Sequence, residues 1–158
     1  MASLNPHLQL LRELVRAYQA FERYSAADVV RRGLTPAQFD VLATLGNTEG
    51  MHAKTLGART LITKGTLTGV VDRLLAKGLV RRDADPDDGR RQVVRLTAAG
   101  QALFEQVFPA HARHVQRAFA RLPQAHLAQA QQSLAELREA FEGAAQAWAA
   151  DASQEEIR

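Results

Sequence analysis

Residues 63–97 constrain the fold more than any other part of the chain. Leu67, Val70, Val71, Leu74 and Leu75 recur at i, i+3, i+4, i+7 and i+8, which predicts a helix with one apolar stripe and an opposite face left to solvent. Gly78 closes that helix, Leu79-Val80-Arg81-Arg82 reads as a short strand, residues 85–89 as a tight turn rich in Asp, and residues 90–96 as the returning strand. A helix with a small polar face, followed at once by such a hairpin, is a winged helix-turn-helix with a two-stranded wing.

The elements before it agree with a mainly α chain. Leu4, Leu8, Leu11, Val15 and Tyr18 keep helical spacing, with Leu14 and Phe21 widening the stripe, so residues 5–31 read as one long helix ending near Gly33. Thr35 as N-cap, Pro36 at the first helical position, Gln38 completing a capping box and Leu34 with Phe39 as a staple start the next helix. A short third helix follows at about residues 53–60, and Leu61-Ile62 turns into the exposed helix. The chain therefore divides into an N-terminal dimerisation helix (1–33), a winged helix-turn-helix domain (34–100), C-terminal dimerisation helices (101–150) and a flexible tail (151–158).

Composition excludes several classes of function. The chain has 158 residues, about one domain's worth, and no apolar run of membrane-spanning length or signal-peptide pattern, so a cytoplasmic protein is expected. It has no cysteine, which removes disulfides, thiolate metal sites, cysteine nucleophiles and thiol redox switches together. Its five histidines form no metalloprotease pattern and no Gly-rich loop follows a strand, so neither an enzyme nor a cofactor is expected. His111 and His114 stand three apart on one helix, yet with only Glu105 as a nearby carboxylate they read as surface histidines, not a zinc site. The alternating acids of residues 83–87 imitate the opening of a calcium loop, but Asp88 replaces the required Gly, Val94 the closing Glu, and Pro86 interrupts.

Charge points to DNA. Residues 50–100 hold ten basic and five acidic residues, so this segment carries +5 while the net charge of the whole chain is +3. A basic lobe on a slightly acidic scaffold suits a phosphate backbone, whose condensed counterions Lys and Arg displace. The second helix of a helix-turn-helix lies in the major groove with its N-terminal residues nearest the bases. Thr63 is the natural N-cap there; Gly65 and Gly69 centre the face opposite the apolar stripe, and Lys64, Thr66, Thr68, Asp72 and Arg73 flank it. Gly69 in mid-helix costs about 1 kcal/mol relative to Ala, which leaves close approach to a base edge or a tolerated loss as its meaning. At the wing tip Asp88 is placed to orient Arg90 for a narrow minor groove, and Arg91 and Arg95 for phosphates; the alternative is an ordinary exposed ion pair.

These residues resemble the MarR family of bacterial regulators. The resemblance rests on Val71-Asp72-Arg73-Leu74, Lys77-Gly78-Leu79-Val80, the wing signature Asp88-Gly89-Arg90 and Leu96-Thr97-Ala98-Ala99-Gly100 before the fifth helix. It implies a homodimer that binds a pseudo-palindromic operator, usually as a repressor, and a small aromatic or phenolic effector held between the dimer helices and the winged lobe. Tyr18, Phe21 and Tyr24 on the first helix and Phe39 on the second are the candidates to line such a pocket, with Arg16, Arg12 or His7 to meet a carboxylate. Each aromatic also suits an ordinary core position.

The dimer has a separate argument. Leu127, Ala130, Leu134, Leu137, Phe141, Ala144 and Trp148 alternate spacings of three and four, the seam of a helix that packs along its length. The preceding segment carries its own apolar stripe past Pro109, where a kink is expected. With Leu8 and Leu11 of the first helix, these stripes predict packing against a second copy, the alternative being a bundle closed within one chain. A winged-helix module that binds protein instead of DNA is the competing function.

Overall fold

A computed structural model of the chain describes residues 5–62, 64–85, 88 and 91–155. Six helices and three strands occur among them: α1 (Pro6–Arg31), α2 (Pro36–Leu45), β1 (Met51–His52), α3 (Ala53–Arg59), α4 (Lys64–Ala76), β2 (Val80–Ala84), β3 (Gln92–Leu96), α5 (Ala98–Ala118) and α6 (Gln124–Glu155). Compact packing divides them into one unit through Arg117 and a second from Ala118 onward. No helix among the described residues is long and apolar enough to cross a membrane.

Local chemistry sets the helix ends. The Thr35 hydroxyl accepts the Gln38 N–H at 3.2 Å while Gln38 Oε1 accepts the Thr35 N–H at 3.1 Å, so both halves of the capping box form. At the end of α4, Gly78 takes φ +67°, a left-handed conformation that a side chain would strain. The Thr97 hydroxyl then donates to the Gly78 carbonyl at 2.6 Å and accepts the Gly100 N–H at 3.0 Å, tying the end of α4 to the start of α5. A Cβ on Gly100 would fall on the Leu79 carbonyl oxygen, which is why glycine stands one turn into α5.

The core of the first unit gathers Val29 of α1, Val41 and Leu45 of α2, Leu56 of α3 and Val70 and Leu74 of α4 under the sheet residues Val80 and Val94. Burying a Val or Leu side chain contributes about 1.5–3 kcal/mol, and these side chains are almost wholly buried. The wing is larger than expected. Its hairpin pairs Val80 with Leu96 and Ala84 with Gln92, and β1 adds a third antiparallel strand through Met51 with Val94 and His52 with Val93. Two residues are too short to carry an alternation, so the sequence held no sign of β1.

Two features of the long helices bear on the sequence reading. Residues 151–155, read as flexible tail, continue α6, because Ala149, Ala150, Ala152 and Glu155 favour helix and no Gly or Pro interrupts them. Helix α5 is continuous from Ala98 to Ala118 with Pro109 inside it, so the proline removes one backbone donor without ending the helix.

Candidate DNA interface and ligand cavity

Helix α4 presents its two faces as its pattern requires. Leu67, Val70, Val71 and Leu74 are buried, while Thr66, Thr68, Asp72 and Arg73 are exposed and Gly69 is half-exposed. The Arg73 side chain makes no hydrogen bond or ion pair among the described residues. Thr63 lies outside the described residues, and Lys64 and Gly65 open α4 with side-chain surroundings that the structure leaves undescribed. A Cβ built on Gly69 would meet only Arg73 Nη1 at 3.7 Å, an ordinary contact, so nothing among the described residues requires glycine there.

Asp72 has a role that sequence reasoning missed. It accepts from Arg82 Nη2 at 2.7 Å, which joins β2 of the wing to the exposed flank of α4. The separation of ten residues across a turn gives no periodic signal, so only the fold brings the pair together. At the wing tip Asp88 pairs with Arg91, Nε to Oδ2 at 3.2 Å; Arg90, its expected partner, lies outside the described residues. Arg95, expected to reach phosphates, is instead held by Asp83 at 3.3 Å and Glu49 at 3.5 Å, because β3 places it beside β2. His52 bridges β1 to Asp85 at 2.9 Å, where β2 enters the turn of the same wing.

A cavity of about 350 Å³ opens beside this lobe, bounded by residues of α1, α2, α4, α5 and the turn before α4. Tyr18, Phe21 and Phe39 line it, as do Leu61 and Ile62. Arg16 and Tyr24 do not, nor do Arg12 and His7. Arg16 pairs with Glu13 at 3.0 Å one turn away, and Tyr24 turns to α5, where its hydroxyl donates to the His114 carbonyl at 2.9 Å and its ring stacks on His114 at 4.1 Å between centroids. Glu22, Ser25, Asp40, Thr66 and His111 supply the polar lining.

His111 is the member of that lining that sequence reasoning placed elsewhere. Read as a surface residue, it is 6% exposed. Its Nδ1 stands 2.9 Å from Asp28 Oδ2, itself 4% exposed, and its Nε2 stands 3.2 Å from Ser25 Oγ. Arg32 holds Asp28 by two hydrogen bonds at 2.9 and 3.0 Å, with Arg31 at 3.5 Å. The Arg32 hydrogen bonds, outweighing the opposing effect of burial, hold the Asp28 carboxyl well below the usual carboxylate range. Burial pushes the Asp40 carboxyl upward, against a hydrogen bond from the Leu61 N–H at 2.7 Å. Val15, Val29 and Val30 along α1 offered no hint that Asp28, on the same helix, would face inward.

The expected dimer positions are mostly exposed in the single chain. Leu8 is 55% exposed, Leu134 52%, Phe141 50% and Trp148 78%; Leu11 is also exposed and Leu127 and Leu137 are half-buried.

A helix-turn-helix lobe with a basic, sheet-anchored wing and an open polar face on α4 defines a DNA-binding protein of the winged-helix class. Residues 32–91 match the MarR family. The chain is 31% identical to the HTH-type transcriptional regulator YkoM of Bacillus subtilis over 73% of its own length and 75% of the relative's. A probable transcriptional regulator from Pseudomonas aeruginosa shares 39% identity and a TM-score of 0.66 over 78% of this chain and 92% of that one. BpsR of Bordetella bronchiseptica, whose DNA binding is regulated by 6-hydroxynicotinic acid, shares 30% identity and a TM-score of 0.73 over 87% and 96%. The chain belongs to the MarR family: it is a DNA-binding transcriptional regulator and not an enzyme.

Proposed function

We propose that the protein acts in the cytoplasm as a homodimeric repressor, binding a pseudo-palindromic operator and leaving it when a small aromatic ligand binds. The observation that carries the DNA reading is the pairing of two faces on α4: one sealed in the core, the other exposing Thr66, Thr68 and an Arg73 side chain with no partner among the described residues. Helix α4 enters the major groove, and the wing, held to it by Arg82 and Asp72, brings Arg90 and Arg91 to the flanking backbone. The exposed stripes of α1 and α6 favour a second copy of the chain, because apolar side chains of this size in a row gain from being covered. The aromatic cavity, and the 6-hydroxynicotinic acid of BpsR, favour a ligand that acts by changing the separation of the two α4 helices.

Selection from a random duplex pool tests this reading. The wild-type protein should recover an inverted repeat with half-sites about one helical turn, roughly 34 Å, apart. Operator affinity should fall steeply with salt, and each of Arg73→Ala and Arg90→Ala should weaken it about 5- to 100-fold and flatten the salt dependence. Recovery of no repeat, with binding indifferent to salt, would place the winged lobe among protein-binding modules instead.

A further inference from the structure

A second cavity, of about 230 Å³, lies between the end of α1 and the second half of α5 and shares no lining residue with the aromatic one. Arg31 and Arg32 reach it from α1, and Arg113, His114 and Arg117 from α5. Asp28 is the carboxylate of this lining, so four guanidiniums face one acid and the wall carries a charge of +3 with His114 neutral. Guanidiniums keep their protons in proteins, so that charge is permanent. Asp28 is already taken. Arg32 donates to both of its oxygens at 2.9 and 3.0 Å and His111 stands at 2.9 Å, which leaves Arg31 a longer contact at 3.5 Å. Arg113 and Arg117 make no hydrogen bond or ion pair among the described residues. Their own helix offers no acid one turn away, since the sequence holds no Asp or Glu between Glu105 and Glu136.

Helix electrostatics explains part of this cluster. Arg31 and Arg117 stand in the last turns of their helices, where a cation meets the free carbonyls. Arg113 does not; one turn before Arg117 on the same face, it sets two like charges at i and i+4, a spacing that opposes the helix. We propose that the cavity is a site for a multiply charged phosphoryl anion, free or as the end group of a small metabolite. A planar guanidinium offers paired N–H donors to two oxygens of one phosphate, and four of them around a single cavity supply both the donors and the charge that such an anion needs. The volume lies below the roughly 300–1,000 Å³ of sites for drug-sized ligands, so the cavity holds the charged group and leaves any organic remainder to solvent. His114 is a fixed part of the wall: its ring stacks on Tyr24 at 4.1 Å between centroids, and its Nε2 donates to the Tyr24 carbonyl at 3.3 Å. An anion held here joins α1 to α5 through Arg31, Arg113 and Arg117, beside the existing link through Asp28 and His111.

The test titrates the full chain calorimetrically with pyrophosphate in a phosphate-free buffer at neutral pH and low salt, with succinate in a parallel arm. Pyrophosphate should bind at least about tenfold tighter than succinate, because it carries more charge on a more compact frame, and should raise the melting temperature. Arg113 and Arg117 are exposed, so Arg113→Gln and Arg117→Gln keep the core and should each weaken pyrophosphate about tenfold. Arg121→Gln removes the same charge from the same stretch of chain outside the cavity and should change the affinity less than about twofold. Equal losses in all three variants would show charge attraction without a site and overturn the proposal. Loss on Arg73→Ala with none on Arg113→Gln would place the anion on the exposed face of α4 and overturn it too. No binding at millimolar pyrophosphate removes the site, and tighter binding of succinate removes the phosphoryl class.

Discussion

Helices α4 and α6 carry the same kind of apolar stripe and meet opposite fates. In α4, Leu67 is 6% exposed, Val70 1% and Leu74 0%; in α6, Leu134, Phe141 and Trp148 are 52%, 50% and 78% exposed. Spacing says which face of a helix is apolar, and nothing in the spacing says whether the chain itself covers that face. The sharpest way to break the comparison is to truncate both stripes. Leu74→Ala should lower stability in urea by about 2–5 kcal/mol, the transfer term plus a cavity. The paired change Leu134→Asp with Phe141→Asp should leave the first unit's unfolding midpoint unmoved and bring the mass in light scattering down to the 17.3 kDa of one chain. A double variant that keeps the wild-type mass would show that the α6 stripe is not what associates.

The same contrast explains what was legible in the sequence. Everything set by neighbours along the chain could be read: the capping box at Thr35 and Gln38, the Gly78 stop, and the two faces of α4. Everything set by side chains meeting across the fold was missed or misplaced. Asp72 with Arg82, Arg95 with Asp83 and Asp28 with His111 join residues 10, 12 and 83 positions apart, and no periodicity records such meetings. The cavity shows both halves of the lesson. Tyr18, Phe21 and Phe39 were legible as aromatics on the right helices, whereas the polar floor of Ser25 and His111 needed α1 and α5 laid side by side, and the cation expected from Arg16 was absent because Glu13 takes it one turn away.

Helix α1 contains both fates in one element, exposed at Leu8, Leu11, Val15, Tyr18 and Phe21 and buried at Asp28 and Val29, and pH separates the two parts. Asp28 titrates well below its ordinary range in the folded chain, so the folded state favours its ionised form. Its contribution is present above the unfolded carboxylate pKa, about 3.9, and is lost as pH falls below that value toward the depressed one. Urea midpoints should therefore drop more steeply between pH 4 and pH 2 in the wild type than in Asp28→Asn, while at pH 7 the variant should be less stable by about 3–5 kcal/mol because Arg32 and His111 lose a buried partner. Parallel pH profiles would mean that Arg32 finds another anion and that the pair does not organise this end of α1.

The smallest effect falls on the exposed face of α4 and decides what that face is for. Gly69 sits where a Cβ would touch only Arg73 Nη1 at 3.7 Å, so Gly69→Ala adds no clash and relieves the backbone freedom that glycine costs in a helix. Stability should rise by about 0.5–1 kcal/mol. A glycine that folding alone does not need is either a tolerated loss or room for something that approaches the helix closely. Operator affinity measured on the same variant distinguishes the two meanings of the position. A more stable protein that binds its operator several-fold more weakly would assign Gly69 to the DNA contact. A more stable protein with unchanged affinity would leave Thr66, Thr68 and Arg73 to read the groove without it.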